Sequence, residues 1–311
     1  AHMEALDKGM GIHAEILRRG LDENTLISCA LVDMYAKNGW LIDGRHVFDK
    51  QRCIRDVVSW TALISGYVRH GHNEEALKLF EDMKLQDVHP NAFTMVHGLK
   101  ACGSIGAVHK GNEIHDEIQR KGMLGKHLIV DNALLDMYTK FGLLGKAQEV
   151  FDELLVWDVV SSTTLISGYS QRGHAKEAVN CYNQMHHKSL LANSITFACI
   201  LNAYAIIGAV KKGKEIHAQI IIKKEGMETD ILVGNALVDM YGKCGELAKA
   251  QEVFDKLPVR DVVSWTSIIS GYAKIGEDDM VVELFNVMIE EGIEPNITTF
   301  TVVLYACSHS G

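Results

Sequence analysis

The stretch from Asp56 to Tyr67, DVVSWTALISGY, returns as DVVSSTTLISGY from Asp158 and as DVVSWTSIISGY from Asp261, 102 and then 103 residues further along. So even a recurrence marks a chain of stacked units rather than one active site. Other stretches keep the same period. LVDMYAKNG from Leu31 returns as LLDMYTKFG from Leu134 and LVDMYGKCG from Leu237, and GIHAEI from Gly11 returns as EIHDEI from Glu113 and EIHAQI from Glu215. Within each long period the LISGY, LKAC and LVDMY patterns are variants of one shorter unit of 31 to 37 residues. Eight such units run 25–56, 57–91, 92–127, 128–158, 159–193, 194–230, 231–261 and 262–296, with half-units at 1–24 and 297–311.

Three prolines in 311 residues leave long stretches free to be helical, and 47% apolar with 23% charged residues is an ordinary globular composition. No run approaches the roughly 18 apolar residues of a membrane span. The seven cysteines are scattered and never spaced Cys-x-x-Cys, which argues against a disulfide framework or a zinc site and for a reducing compartment. Ala1–Met3 reads as a cloning scar ahead of a truncated unit.

Each unit reads as two antiparallel helices. In 57–91, Leu63, Ile64 and Tyr67, then Ala76, Leu79, Phe80 and Met83, follow amphipathic helical spacing, and Gly71 stands between the runs as a helix stop. Gly173 and Gly276 are its equivalents. A pair this short cannot bury its apolar face alone, so neighbours must stack. The expected fold is all-α, a right-handed superhelical α-solenoid of about 18 helices, with the first helix of each pair lining the concave surface.

The unit VVSWTALISGYVRHGHNEEALKLFEDMKLQDVHPN from Val57 resembles a pentatricopeptide repeat of the P type. Units carrying KAC and GNEIHDEI resemble the longer L type, and those carrying NALLDMYTKFG the shorter S type. The order S, P, L, S, P, L, S, P over 25–296, after a partial L-type repeat at 1–24, is similar to the PLS class, which in land plants supplies RNA-editing factors of mitochondria and chloroplasts. The length alternation disfavours a tetratricopeptide array, a peptide-binding solenoid of about 34 residues per unit.

The resemblance implies that the fifth and last residues of a unit choose a base. In the P units these are Thr61 with Asn91, Thr163 with Asn193, and Thr266 with Asn296; in the last two S units they are Asn132 with Asp158 and Asn235 with Asp261. The L units carry Val96 with His127 and Ala198 with Asp230. Their apolar fifth residue offers no hydrogen bond, so these units are expected to be spacers. A carboxylate only accepts, which suits the imino N–H of uracil or guanine, whereas an amide also donates, which suits the bare ring nitrogen of adenine or cytosine. Small Thr leaves room for a purine, and larger Asn closes the gap to a pyrimidine. Thr with Asn then reads adenine, and Asn with Asp reads uracil. The first S unit, Cys29 with Asp56, leans toward uracil or guanine. With the N-terminal units nearer the 5′ end, as the resemblance implies, the target is N-A-N-U-A-N-U-A.

Single-stranded RNA is also held by stacking and through its phosphates. The second residue of each base-reading unit is aliphatic: Leu26, Val58, Ile129, Val160, Leu232 and Val263. In the resembling family such residues sandwich the bases. The thirteenth residue lies about two turns beyond the fifth and about 80° round the helix. There the S and P units carry Lys37, Arg69, Lys140, Gln171, Lys243 and Lys274, and the L units Ser104 and Ile206. The five basic residues are the expected phosphate partners. A formal net charge of -9 is unusual for a nucleic-acid binder, but the acidic residues Glu74, Glu75, Glu81 and Asp82 fall on a second, outward helix. Modest, salt-sensitive affinity is expected.

His13 with Glu15 and His115 with Glu117 imitate the His-x-Glu half of a zinc deaminase, yet the third copy is His217 with Gln219 and no Cys-x-x-Cys follows. These histidines, and the pairs His70 with His72 and His186 with His187, read as structural or solvated, and Trp60 and Trp265 as packing between units. No catalytic constellation, cofactor or metal site is complete. FTVVLYACSHSG from Phe300 resembles the L-type unit that closes a PLS tract ahead of the C-terminal E and DYW regions. The chain therefore reads as a fragment, the specificity segment of a cytidine-to-uridine editing factor, with a DYW-type deaminase downstream or recruited. The alternative is a protein-binding helical scaffold.

Overall fold

A computed structural model describes residues 2–22, 24–50, 56–223 and 230–309. Ala1 of the opening tripeptide, Cys53, and Ser310 and Gly311 of the closing stretch lie outside them. The described residues form eighteen α-helices and no strand. The helix α1, His2–Arg18, is followed by eight pairs. Their first helices are α2 (Thr25–Lys37), α4 (Val57–Arg69), α6 (Ala92–Ile105), α8 (Leu128–Phe141), α10 (Val159–Gln171), α12 (Ser194–Ile206), α14 (Ile231–Lys243) and α16 (Val262–Ile275). Their second helices are α3 (Leu41–Lys50), α5 (Asn73–Leu85), α7 (Val108–Arg120), α9 (Leu144–Asp152), α11 (Ala175–His187), α13 (Val210–Lys223), α15 (Leu247–Lys256) and α17 (Asp278–Glu290). The helix α18, Ile297–His309, ends the array.

The chain divides into two compact units, Ala1–Val156 and Trp157–Gly311. In the first, α2, α4, α6 and α8 pack side by side in chain order; in the second, α10, α12, α14, α16 and α18 do the same. Within each unit the second helices pack on their own first helix and on the next one. The first helices thus form one continuous layer per unit.

Gly71, Gly173 and Gly276 turn the chain between paired helices with φ of +83°, +77° and +80°, a region that a Cβ disfavours, which is why the hairpin stop is glycine. Trp60 and Trp265 pack between modules. Trp60 meets Phe48 of the preceding second helix edge-on with centroids 4.6 Å apart, and Trp265 meets Phe254 at 4.8 Å. The first-helix layer is tightest where Gly66 faces Ala36 and Gly271 faces Gly242. A Cβ added at Gly66 would stand 2.5 Å from the Ala36 Cβ, and one at Gly271 would stand 3.1 Å from the Gly242 Cα.

The recurring histidines answer to the recurring DMY. His13, His115 and His217 bond through Nδ1 to the hydroxyls of Tyr35, Tyr138 and Tyr241 at 2.8, 2.7 and 2.9 Å, tying a second helix to the next first helix. Burial holds His13 and His115 below the ordinary histidine value, and burial with the nearby Lys100 and Arg69 charges takes His97 down to about 4. These side chains are neutral when folded, whereas an unfolded histidine protonates near 6.5. Their stabilisation is therefore complete above about pH 6.5 and is lost as pH falls, for His97 progressively down to about 4. Thermal melts should be flat from pH 8 to 7 and drop between 6.5 and 4. His97→Gln should make that drop smaller, and an equal drop in the variant would exclude His97 as its source.

Candidate nucleic-acid interface

The last residue of each of the eight complete modules is the residue before the next first helix, and where it is Asn or Asp this fixes its chemistry. An α-helix begins with backbone N–H groups that lack partners, and a side-chain oxygen at the N-cap satisfies them. Asn91 caps α6: its Oδ1 accepts from the Thr94 backbone N–H and hydroxyl, both at 3.0 Å. Asn193 caps α12 through Thr196 at 2.8 and 2.9 Å, and Asn296 caps α18 through Thr299 at 2.9 and 3.0 Å. With its oxygen turned inward to the helix, each amide presents Nδ2 outward, and that group can only donate.

Aspartate at the same place gives the opposite outcome. Asp56 Oδ1 accepts from the Ser59 N–H at 2.8 Å and hydroxyl at 2.7 Å, Asp158 Oδ1 from the Ser161 N–H at 2.7 Å, and Asp261 Oδ1 from the Val263 and Ser264 N–H groups, each at 2.9 Å. The remaining carboxylate oxygen can only accept. Burial pushes the Asp56 carboxyl up, but the Ser59 and Cys29 hydrogen bonds outweigh it and hold the group below the usual carboxylate value.

The fifth residues join these caps. Thr61 Oγ1 lies 2.7 Å from Thr94 Oγ1 and 2.6 Å from the Val57 carbonyl. Thr163 meets Thr196 at 2.7 Å, and Thr266 meets Thr299 at 2.7 Å and the Val262 carbonyl at 2.6 Å. A chain of three side chains thus links fifth to last residue in every P module. In the module 231–261 the link is direct, with Asn235 Nδ2 donating to Asp261 Oδ1 at 3.0 Å. Cys29 Sγ sits 2.8 Å from the Ser59 hydroxyl. Asn132 lies on α8 in the first unit, and Asp158 caps α10 in the second.

Sequence reasoning missed the hydroxyls that make these links. Ser59, Thr94, Ser161, Thr196, Ser264 and Thr299 are all fully buried third residues of the following module. Their signal is the capping spacing of Asp or Asn with Ser or Thr three residues on. The positions after the L modules carry Val130 and Val233 instead, and Asp230 accepts from the hydroxyl of Ser194, the first residue of its own module, at 3.0 Å.

The expected stacking residues Leu26, Val58, Ile129, Val160, Leu232 and Val263 are all exposed at the starts of their first helices. The row also takes in Phe93 and Ile195 of the L modules, which are exposed as well. Among the expected phosphate partners, Lys37, Lys140 and Lys243 each pair with the aspartate one turn back, Asp33, Asp136 and Asp239, at 2.6, 2.7 and 2.8 Å. Lys274 donates to the Lys243 carbonyl. Arg69 and Lys274 form no ion pair among the described residues, and Gln171 bonds the Ser167 hydroxyl at 3.1 Å.

The profile of the PPR repeat family matches residues 55–104, 157–206 and 260–309, and that of the PPR repeat matches 132–159 and 235–262, together more than half of the chain. The chain belongs to the pentatricopeptide repeat family. A chloroplastic pentatricopeptide repeat-containing protein of Arabidopsis thaliana is 38% identical over 324 residues, covering 100% of this chain and 36% of the relative. The chloroplastic relative CRR2 from the same plant is 36% identical, over 100% of this chain and 48% of its own, and a mitochondrial relative is 33% identical over 98% and 54%. The chain thus spans about a third to a half of the length of the curated relatives it matches. Among solved structures, the pentatricopeptide repeat protein PPR10 in complex with an 18-nt psaJ RNA element superposes with a TM-score of 0.82 at 17% identity, over 98% of this chain and 45% of that one. At that identity the likeness speaks for the fold.

No group of three or more His, Cys, Asp or Glu among the described residues of the repeats is placed to hold a metal ion. His70, His72, His186 and His187 are exposed at the ends of the outer hairpins, and His70 Nε2 lies 3.4 Å from the Lys37 carbonyl.

Proposed function

We propose that the chain is a sequence-specific reader of single-stranded RNA in a mitochondrion or chloroplast, the specificity segment of a PLS-class cytidine-to-uridine editing factor. Its target is N-A-N-U-A-N-U-A, and the conversion itself belongs to a DYW-type deaminase, joined downstream or recruited. The observation that carries the reading is the N-cap geometry, which leaves Asn91, Asn193 and Asn296 donor-only and Asp158 and Asp261 acceptor-only toward a ligand. Adenine offers a bare N1 to the asparagine Nδ2 and an amino group to the threonine oxygen. Uracil offers its N3–H to the aspartate. The relatives bear chloroplastic and mitochondrial names, and the structural relative was solved with an RNA element bound.

Competition binding tests it. The 8-mer with the predicted letters should displace a labelled copy of itself, and oligonucleotides with A and U exchanged at positions 2, 4, 5, 7 and 8 should fail at the same concentration. Equal displacement by both would favour a protein-binding scaffold.

The ion pairs at Lys37, Lys140 and Lys243 set the salt dependence. Neutralised by their aspartates, these lysines release few counterions, so Arg69 and Lys274 dominate. The slope of log affinity against log salt is then expected near −1.4, about −0.7 for each of two contacts. Asp33→Asn, Asp136→Asn and Asp239→Asn together free three cations and should move the slope toward −3.5, with higher affinity at low salt. A slope unmoved by the triple change would remove these lysines from the phosphate path.

A further inference from the structure

The three P-repeat readers are chemically the same, with a threonine, a threonine relay and a capped asparagine in each, yet the residue two places beyond each cap differs. After Asn91 it is Phe93, after Asn193 it is Ile195, and after Asn296 it is Thr298. All three are exposed. Phe93 and Ile195 have 62% and 51% of their surfaces free. The residue below each reader is a valine in every copy, Val58, Val160 or Val263, similarly exposed at 59%, 54% and 49%. The cap and this residue sit on one helix start, so a base bonded to the asparagine amide lies beside the side chain two residues on. The three readers therefore share a floor and a hydrogen-bonding pair, and differ in the lid.

We propose that the lids grade the three adenine sites, with Phe93 making the site of Thr61 and Asn91 the anchor of the whole register, Ile195 an intermediate hold, and Thr298 the weakest. This rests on the RNA reading above. An aromatic face stacks on any nucleobase far better than an aliphatic one, and a threonine offers little apolar area. Phe93 has no ring partner of its own among the described residues, so its face is available. It also belongs to an L repeat whose fifth residue is Val96. That repeat then contributes affinity through its second residue and leaves the letter at the third nucleotide open.

The test uses the 311-residue chain with the 8-mer target and three versions bearing an abasic site at nucleotide 2, 5 or 8. The loss of affinity on removing the base should be greatest at nucleotide 2, smaller at 5 and smallest at 8, with about tenfold between the extremes. Phe93→Ile should bring the loss at 2 down to that at 5 while leaving the losses at 5 and 8 unchanged. Ile195→Phe should raise the loss at 5 to the level first seen at 2. Because both positions are exposed, thermal melts of the variants should match the parent. Equal losses at all three sites in the parent, or losses that ignore both exchanges, would overturn the grading while leaving base reading intact. No loss at any site would instead overturn the RNA reading on which the grading stands.

Discussion

Asn91→Asp is expected to change the preferred second nucleotide from adenine to guanine by tenfold or more, without unfolding the chain. Aspartate caps helices as well as asparagine does, and Asp56, Asp158 and Asp261 already cap α4, α10 and α16 by the same bond. The new Oδ1 would accept from Thr94 as the old one did, and the outward group would change from a donor to an acceptor. Adenine N1 would then face a carboxylate, whereas guanine N1–H would donate to it. The Thr61 hydroxyl, now directed at the Val57 carbonyl or Thr94, can rotate to donate to guanine O6. One reversed polar pair discriminates by about 1–3 kcal/mol, and 1.4 kcal/mol is about tenfold. Binding curves with A or G at nucleotide 2, for both proteins at one salt concentration, measure it. Unchanged preference for adenine, or a uniform loss on every sequence, would show that Asn91 serves only as a cap.

The largest expected loss of stability comes from Gly66→Val. Its Cβ would stand 2.5 Å from the Ala36 Cβ, 2.9 Å from the Ala36 Cα and 3.0 Å from the Ala36 carbonyl oxygen. Two of those three atoms are backbone and cannot swing aside, so α2 and α4 would have to separate, costing about 1–3 kcal/mol or more. Ala36→Gly in the same chain should recover part of the loss, because it recreates the pairing of Gly242 with Gly271 in the second unit. Thermal and denaturant melts of the single and double variants give the coupling, and strictly additive losses would place the clash elsewhere.

The architecture was legible because each of its determinants is local or periodic. Hairpin glycines such as Gly71 need a positive φ that few residues tolerate, and the apolar spacing of Leu63, Ile64 and Tyr67 declares one helical face within a single turn. Trp60 and Trp265 were legible as packing because Ser162 stands in their place in the middle copy. The candidate site was only half legible. Fifth and last residues could be named, but the hydroxyl between Thr61 and Asn91 comes from Thr94, on the first helix of the next module and 33 residues from Thr61. Nothing about a buried threonine in isolation says that it orients an amide. The lysine partners were nearer to hand. Asp33 and Lys37 stand four apart on one helix, a spacing that pairs opposite charges, and the expectation of five phosphate partners left that pairing out.

The N-cap that ends each module has a consequence for cutting and joining the chain. Asn91 is held by α6 and Asn296 by α18, so on the proposed reading a letter would be written by two modules in partnership, and each reader would stay unfinished until the following helix is in place. Removing Ile297–His309 would take away Thr299 and with it the orientation of Asn296, so the proposed preference at the eighth nucleotide is expected to vanish although every residue of 262–296 remained. Exchanging modules to rewrite a target therefore calls for seams in the middle of a hairpin, at a glycine such as Gly71 or Gly276, so that each cap travels with the helix it begins.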